Sequence, residues 1–202
     1  MSEFLTYLQF GFRHIVDVEA FDHILFLVAL SAIYRFRDAR NMLWVITAFT
    51  IGHSITLALA VTGLVSLPTA LIEFLIPLTI VATGIENLRA RERERTGTPG
   101  IGYRPLLAGL FGLVHGAGFA NYLQALFVDR IAVPLLGFNV GIELGQMVVL
   151  LAIVIVLALV DRSLELVKRS GGAWQPLRVR VVGVSMLAVA LGSIWAVQRS
   201  PW

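Results

Sequence analysis

Residues 14–27 read HIVDVEAFDHILFL. Two histidines and three carboxylates, His14, Asp17, Glu19, Asp22 and His23, stand at the mouth of a run that is otherwise hydrocarbon. An ionisable side chain taken into hydrocarbon is costly unless it is paired, hydrated or metal-bound. The later apolar runs each bring a further group of this kind: His53, Glu73, His115 and Glu143. One such group is explained by a polar contact between helices. Their recurrence on four apolar runs is better explained by convergence on a divalent metal inside a membrane bundle.

The bulk composition agrees. Of 202 residues, 57% are hydrophobic and 14% charged, and the mean hydropathy is +0.82. A soluble domain carries roughly 25% charged residues. The apolar runs are too long for surface helices, so the expected fold is all-α, a single integral membrane domain over residues 1–202. Cysteine is absent, which removes disulfides, thiolate sites and thiol catalysis and leaves His and carboxylate as ligands. The formal charge of +3 is no nucleic-acid signal, because the basic residues cluster between apolar runs. No cleavable signal peptide is evident, since residues 1–9 lack a basic start.

The hydrophobic pattern predicts a bundle of about six transmembrane helices plus a short N-terminal interfacial or re-entrant helix over 3–13. The first span covers 21–34 and, being short, is expected to begin upstream near Val16. Spans two to six are expected at 42–64, 68–88, 105–128, 133–160 and 179–196. Pro68 suits the opening of a helix, and Pro77 is expected to kink span three. Small residues in span four, at Gly109, Gly112, Gly116 and Gly118, permit close packing within one chain or in a homo-oligomer. RARERERTGTPGIGYR (89–104) and DRSLELVKRSGGAWQPLR (161–178) are expected as polar loops.

Thirteen of the sixteen Lys and Arg residues follow spans one, three and five. The positive-inside rule then puts both termini outside a cytoplasmic membrane, with membrane lipids as the surroundings. On that orientation the first acids and His23 lie near the outer surface, and His53, His115 and Glu143 lie near mid-depth. FTIGHS (49–54) and FGLVHG (111–116) also echo each other as Phe-x-x-x-His on two like-directed helices. Transporter folds place their sites between such repeats.

Imidazoles with carboxylates suit Ni, Co, Zn, Mn or Fe(II). The expected metal ligands are His23, His53, His115, Asp22, Glu143 and His14. Asp17, Glu19, Glu73, Asn139, Gln146 and Ser54 are expected to orient ligands or to line the approach. Glu86 stands close to one helical turn before Arg89 and reads as an ion pair with it.

Four blocks carry a family resemblance: RHI…DHILFL (13–15 and 22–27), FTIGHSITLALA (49–60), FGLVHGAGFA (111–120) and FNVGIELGQ (138–146). Over about residues 10–160 the chain resembles the HupE/UreJ proteins, membrane proteins associated with hydrogenase and urease systems and viewed as nickel or cobalt permeases. The resemblance implies ligand roles for Asp22, His23, His53 and His115. The chain departs from the family at one point. There, about five residues separate the first histidine from Asp-His, which sets two histidines two turns apart on one helix face. Here IVDVEAF separates His14 from Asp22, and on a continuous helix His14 and His23 would face opposite ways. Either the segment breaks into a loop, or His14 is not a ligand.

The resulting expectation is a transporter of a divalent transition metal, nickel or cobalt first. The alternative is an intramembrane metalloenzyme with zinc or a similar ion and a lipid-like substrate. A third reading is a metal-stabilised binding protein. No GxxxxGK[ST] motif occurs, so transport would draw on a gradient or potential.

Overall fold

The computed structural model describes residues 2–17, 20–35, 38–66, 68–95, 102–126, 131–168 and 174–202, with side chains for all of these except 91–95 and 120–126. The described residues form an all-helical bundle: α1 (Glu3–Val16), α2 (Phe21–Ser31), α3 (Ala39–Val61), α4 (Thr69–Arg95), α5 (Arg104–Leu126), α6 (Ala132–Lys168) and α7 (Pro176–Gln198). Four of them, α3, α4, α6 and α7, are long and apolar enough to cross a membrane. The expected count of six spans is not established by them.

The first span differs from expectation. It does not extend upstream to Val16 as one helix. Asp17 turns to extended backbone (ψ 128°) after α1, and α2 restarts beyond Ala20. The 11 residues of α2 rise only about 16 Å, against a hydrocarbon core of about 30 Å. Two expected loops are also shorter. α4 continues through Arg95 and α6 through Lys168, because Arg, Glu, Leu and Lys favour helix whether or not lipid surrounds them. α4 runs through Pro77 as one helix.

Missing side chains set the closest helix contacts. On α6, Gly137, Gly141 and Gly145 recur at every fourth position and receive the backbone of Phe4, Leu8 and Phe12 of α1. The two series rise together, so α1 runs parallel to the first part of α6. α5 meets α3 in the same way: Gly112 lies against Phe49, and Gly116 against His53, again in parallel. α4 and α7 are antiparallel, with Gly84 against Ser185 and Gly192 against Pro77.

Polar contacts fix the remaining directions. Asp22, at the start of α2, pairs with Arg199, just past the end of α7, at 3.3 Å. Near the other end, Arg180 of α7 donates to the Tyr34 carbonyl at 2.8 Å and to Asp161 of α6 at 2.6 Å. α2 and α6 therefore both run against α7. It follows that α1 and α2 run the same way, as two halves of one path interrupted between Val16 and Phe21. The bundle thus has a histidine end and an arginine end.

Between the ends lies an apolar core that includes Phe26, Phe49 and Ile80, all buried. At the arginine end the expected Glu86–Arg89 reading gives way to a longer-range one. Glu86 pairs with Arg104 and accepts from the Tyr103 hydroxyl. Arg104 also donates to Asn87, and Asn87 donates to the Ala29 carbonyl at 2.6 Å. Arg104 and Arg180, expected as loop charges, are 3% and 4% exposed. Burial makes cross-helix partners obligatory, which an exposed i,i+3 pair would not be.

A Cβ at Gly141 would collide with the Leu8 carbonyl, whereas one at Gly183 meets nothing within 4 Å. Gly141→Ala is therefore expected to destabilise by about 1–3 kcal/mol, the usual cost of overpacking. Gly183→Ala is expected to be neutral or mildly stabilising. Thermal unfolding of the purified protein in detergent checks both.

Candidate metal centre

The break between α1 and α2 builds the site. With the helix interrupted, the opposite-face problem disappears: His14 sits in the last turn of α1 and His23 in the first turn of α2. Their rings meet edge to face at 4.9 Å between centroids. α3 supplies His53. One ring nitrogen from each of His14, His23 and His53 can be chosen so that all three lie within 4.8 Å of one another. Three imidazole nitrogens around one point are a transition-metal donor set.

The hydrogen bonds around these rings point the same way. Asp22 accepts from the His23 backbone N–H at 2.9 Å and contacts His23 Nδ1 at 3.1 Å. If the ring is neutral, Nδ1 then carries the proton and Nε2 the lone pair. His23 Nε2, His14 Nε2 and both His53 ring nitrogens are buried without a hydrogen-bond partner. Buried polar atoms are normally satisfied. A cation shared by the three rings would satisfy one nitrogen of each.

His115 lies next to this group. Its ring is 5.1 Å from that of His23, and it is packed against Phe26 and Phe49. It is not one of the clustered three. The Thr79 hydroxyl donates to the Ile76 carbonyl at 2.7 Å, so its oxygen accepts from His115 Nε2 at 2.9 Å. That leaves His115 Nδ1 as the lone-pair nitrogen, buried and without a hydrogen-bond partner.

A cleft of about 470 Å³ reaches the site from the histidine end, lined by His14, Asp17, Asp22, His23, His115 and Glu73 among others. Asp17 and Glu73 are exposed and Asp22 is half-buried at its rim. His53 is wholly buried and does not itself line the cleft. Glu143 and Asn139 are half-buried on α6, and neither belongs to the three-histidine group. Gln146 is 1% exposed and accepts from Thr50 at 2.7 Å, a contact that ties α6 to α3 just before His53. Ser54 donates to the Thr50 carbonyl within its own helix at 2.7 Å. Glu19 lies outside the described residues.

Two participants escaped sequence reading. Thr79 carried no signal, because threonine is commonplace in apolar helices. Arg199 was legible only as a terminal charge, yet it holds Asp22.

These features define a helical membrane protein with a histidine site at a helix break, open to one end of the bundle. The profile described as "HupE / UreJ protein" matches residues 1–199, and the chain belongs to that family. No curated protein and no solved structure matches it.

Asp22→Asn is expected to weaken binding of nickel or cobalt by about 10- to 100-fold, the usual effect of removing a carboxylate behind a metal-binding histidine. Titration calorimetry on purified protein measures it. Unchanged affinity would remove Asp22 from the site.

Proposed function

We propose that the protein moves a divalent transition metal, with nickel or cobalt as the first candidates, across the membrane by way of His14, His23 and His53. The observation that carries this reading is the gathering of three imidazoles, each with a buried ring nitrogen that has no hydrogen-bond partner, beside an acid-lined cleft. The family's association with metal transport supports it.

The chemistry suits cargo rather than permanent tenancy. Asp17, Asp22 and Glu73 add negative charge at the entrance, which raises the local concentration of cations. Inside, neutral imidazoles replace water ligands. Histidine holds such metals without the thiolates that would make release slow, and protons compete for the same nitrogens. With purified protein in proteoliposomes, radioactive nickel or cobalt is expected to accumulate. His53→Ala is expected to abolish that uptake and to lower stoichiometric metal binding.

A second reading has one observation in its favour. Three histidines below an open cleft leave a coordination position free for water, as in hydrolytic zinc sites. It predicts retained metal with no flux, and the same proteoliposome measurement separates the two.

We also read the histidine end as the outer face, because lysine and arginine gather towards the other. The chain has no cysteine, so single introduced cysteines report unambiguously. Leu64→Cys, between α3 and α4, is expected to react with an impermeant maleimide on intact cells, and Leu166→Cys only after lysis. The reverse pattern would invert the direction of transport.

A further inference from the structure

The second cleft of interest lies at the arginine end, between α6 and α7, and encloses about 770 Å³. We propose that it holds the phosphate of an anionic phospholipid. The proposal does not depend on the transport reading.

Three independent features converge there. The first is charge. Arg35, Arg162 and Arg180 line the cleft, against Asp161 and Glu165. Arg180 engages Asp161 Oδ2 at 2.6 Å, while Asp161 Oδ1 is buried without a hydrogen-bond partner; that pair offsets itself, and Arg35 and Arg162 against Glu165 leave the wall net positive. The second is an unused donor on a residue of the wall. Arg180 is 4% exposed. Its two terminal nitrogens serve Asp161 and the Tyr34 carbonyl, while its buried Nε has no partner. A guanidinium held by two bonds with its third donor group unmet is a preorganised anion contact.

The third feature is a helix start. Gln175, Pro176 and Leu177 of the first turn of α7 line the same cleft. α7 is 23 residues long, and Gln175 makes no side-chain capping bond. The first intrahelical bond recorded across the cap is Val179 N–H to the Gln175 carbonyl. Pro176 has no N–H, so the amides of Leu177 and Arg178 are the ones left at the helix end, where the dipole favours an anion.

The remaining walls say which phosphate. Val154, Leu157 and Ala158 line the cleft along α6 from Asp161 back towards the apolar middle of the bundle. An inorganic ion would leave that apolar surface unused. A phospholipid places its phosphate among the arginines and its acyl chain along those residues, at the end of the bundle where basic side chains meet the headgroups.

The test uses full-length protein in an uncharged detergent, titrated separately with phosphatidylglycerol, phosphatidylcholine and inorganic phosphate. Thermal unfolding and native mass spectrometry are the readouts. Phosphatidylglycerol is expected to raise the unfolding temperature and to stay bound in the mass spectrum, with phosphatidylcholine far weaker. Arg35→Gln and Arg162→Gln, both exposed and so tolerated by the fold, are each expected to weaken phosphatidylglycerol binding about fivefold. Arg178→Gln, on α7 but not lining the cleft, is expected to leave it unchanged. Equal effects of the two lipids, or a double Arg35/Arg162 variant that binds like wild type, would overturn the proposal. So would inorganic phosphate reproducing the whole shift, which would make the ligand a free anion.

Discussion

The structure depends on how it tolerates a helix break inside an apolar bundle. Backbone groups without partners are expensive where water is excluded, so an interruption survives only when surrounding protein holds it. Between Val16 and Phe21 that support comes from α1 lying against α6. Glycines at every fourth position of α6 let backbone touch backbone, and this restricts the register of α1. Register matters because His14 sits in the last turn of α1. A slip of one residue would turn it by about 100°, away from His23 and His53. Glycine packing on α6 and imidazole chemistry on α1 are therefore one constraint seen at two places.

The same economy governs α2, which is too short to reach water at both ends. Its termini are satisfied by side chains, its own Asp22 at one end and residues of other helices at the other. Asp22 accepts the His23 N–H at the start, and Asn87 takes the Ala29 carbonyl near the finish. Arg180 then holds Tyr34 just beyond. Each partner is itself tied down, Asp22 by Arg199 and Asn87 by Arg104. The short helix is thus suspended between the histidine site and the arginine cage, with Phe26 packed on Phe49 between them at 4.9 Å.

Much of this was legible in the sequence. Apolar runs located the later helices to within a few residues at their membrane ends. They failed at the charged ends of α4 and α6, because hydropathy reports lipid and not helix. Spacing across IVDVEAF reduced His14 to two outcomes, a loop or a lost ligand, and the extended backbone at Asp17 decides for the loop. The glycine pattern of α6 was present in GFNVGIELG at 137–145 but carried no partner, since nothing local says that an N-terminal segment will lie along it. Glu86 was matched to its nearest cation along the chain, whereas burial selects a partner in space, Arg104.

His53 and His115 show where pattern stops and environment takes over. Their segments echo each other in sequence, and the helices lie side by side in parallel, with Phe49 against Gly112 and His53 against Gly116. Position alone would make the two rings equivalent. They differ because of what stands behind them. His115 has Thr79 at 2.9 Å holding its Nε2, while neither nitrogen of His53 has a hydrogen-bond partner. One imidazole is anchored by the protein beside the site; the other is left with lone-pair capacity at its centre. A neutral imidazole buried with both nitrogens unmet carries in full a desolvation cost that His115, with one nitrogen met, carries only in part.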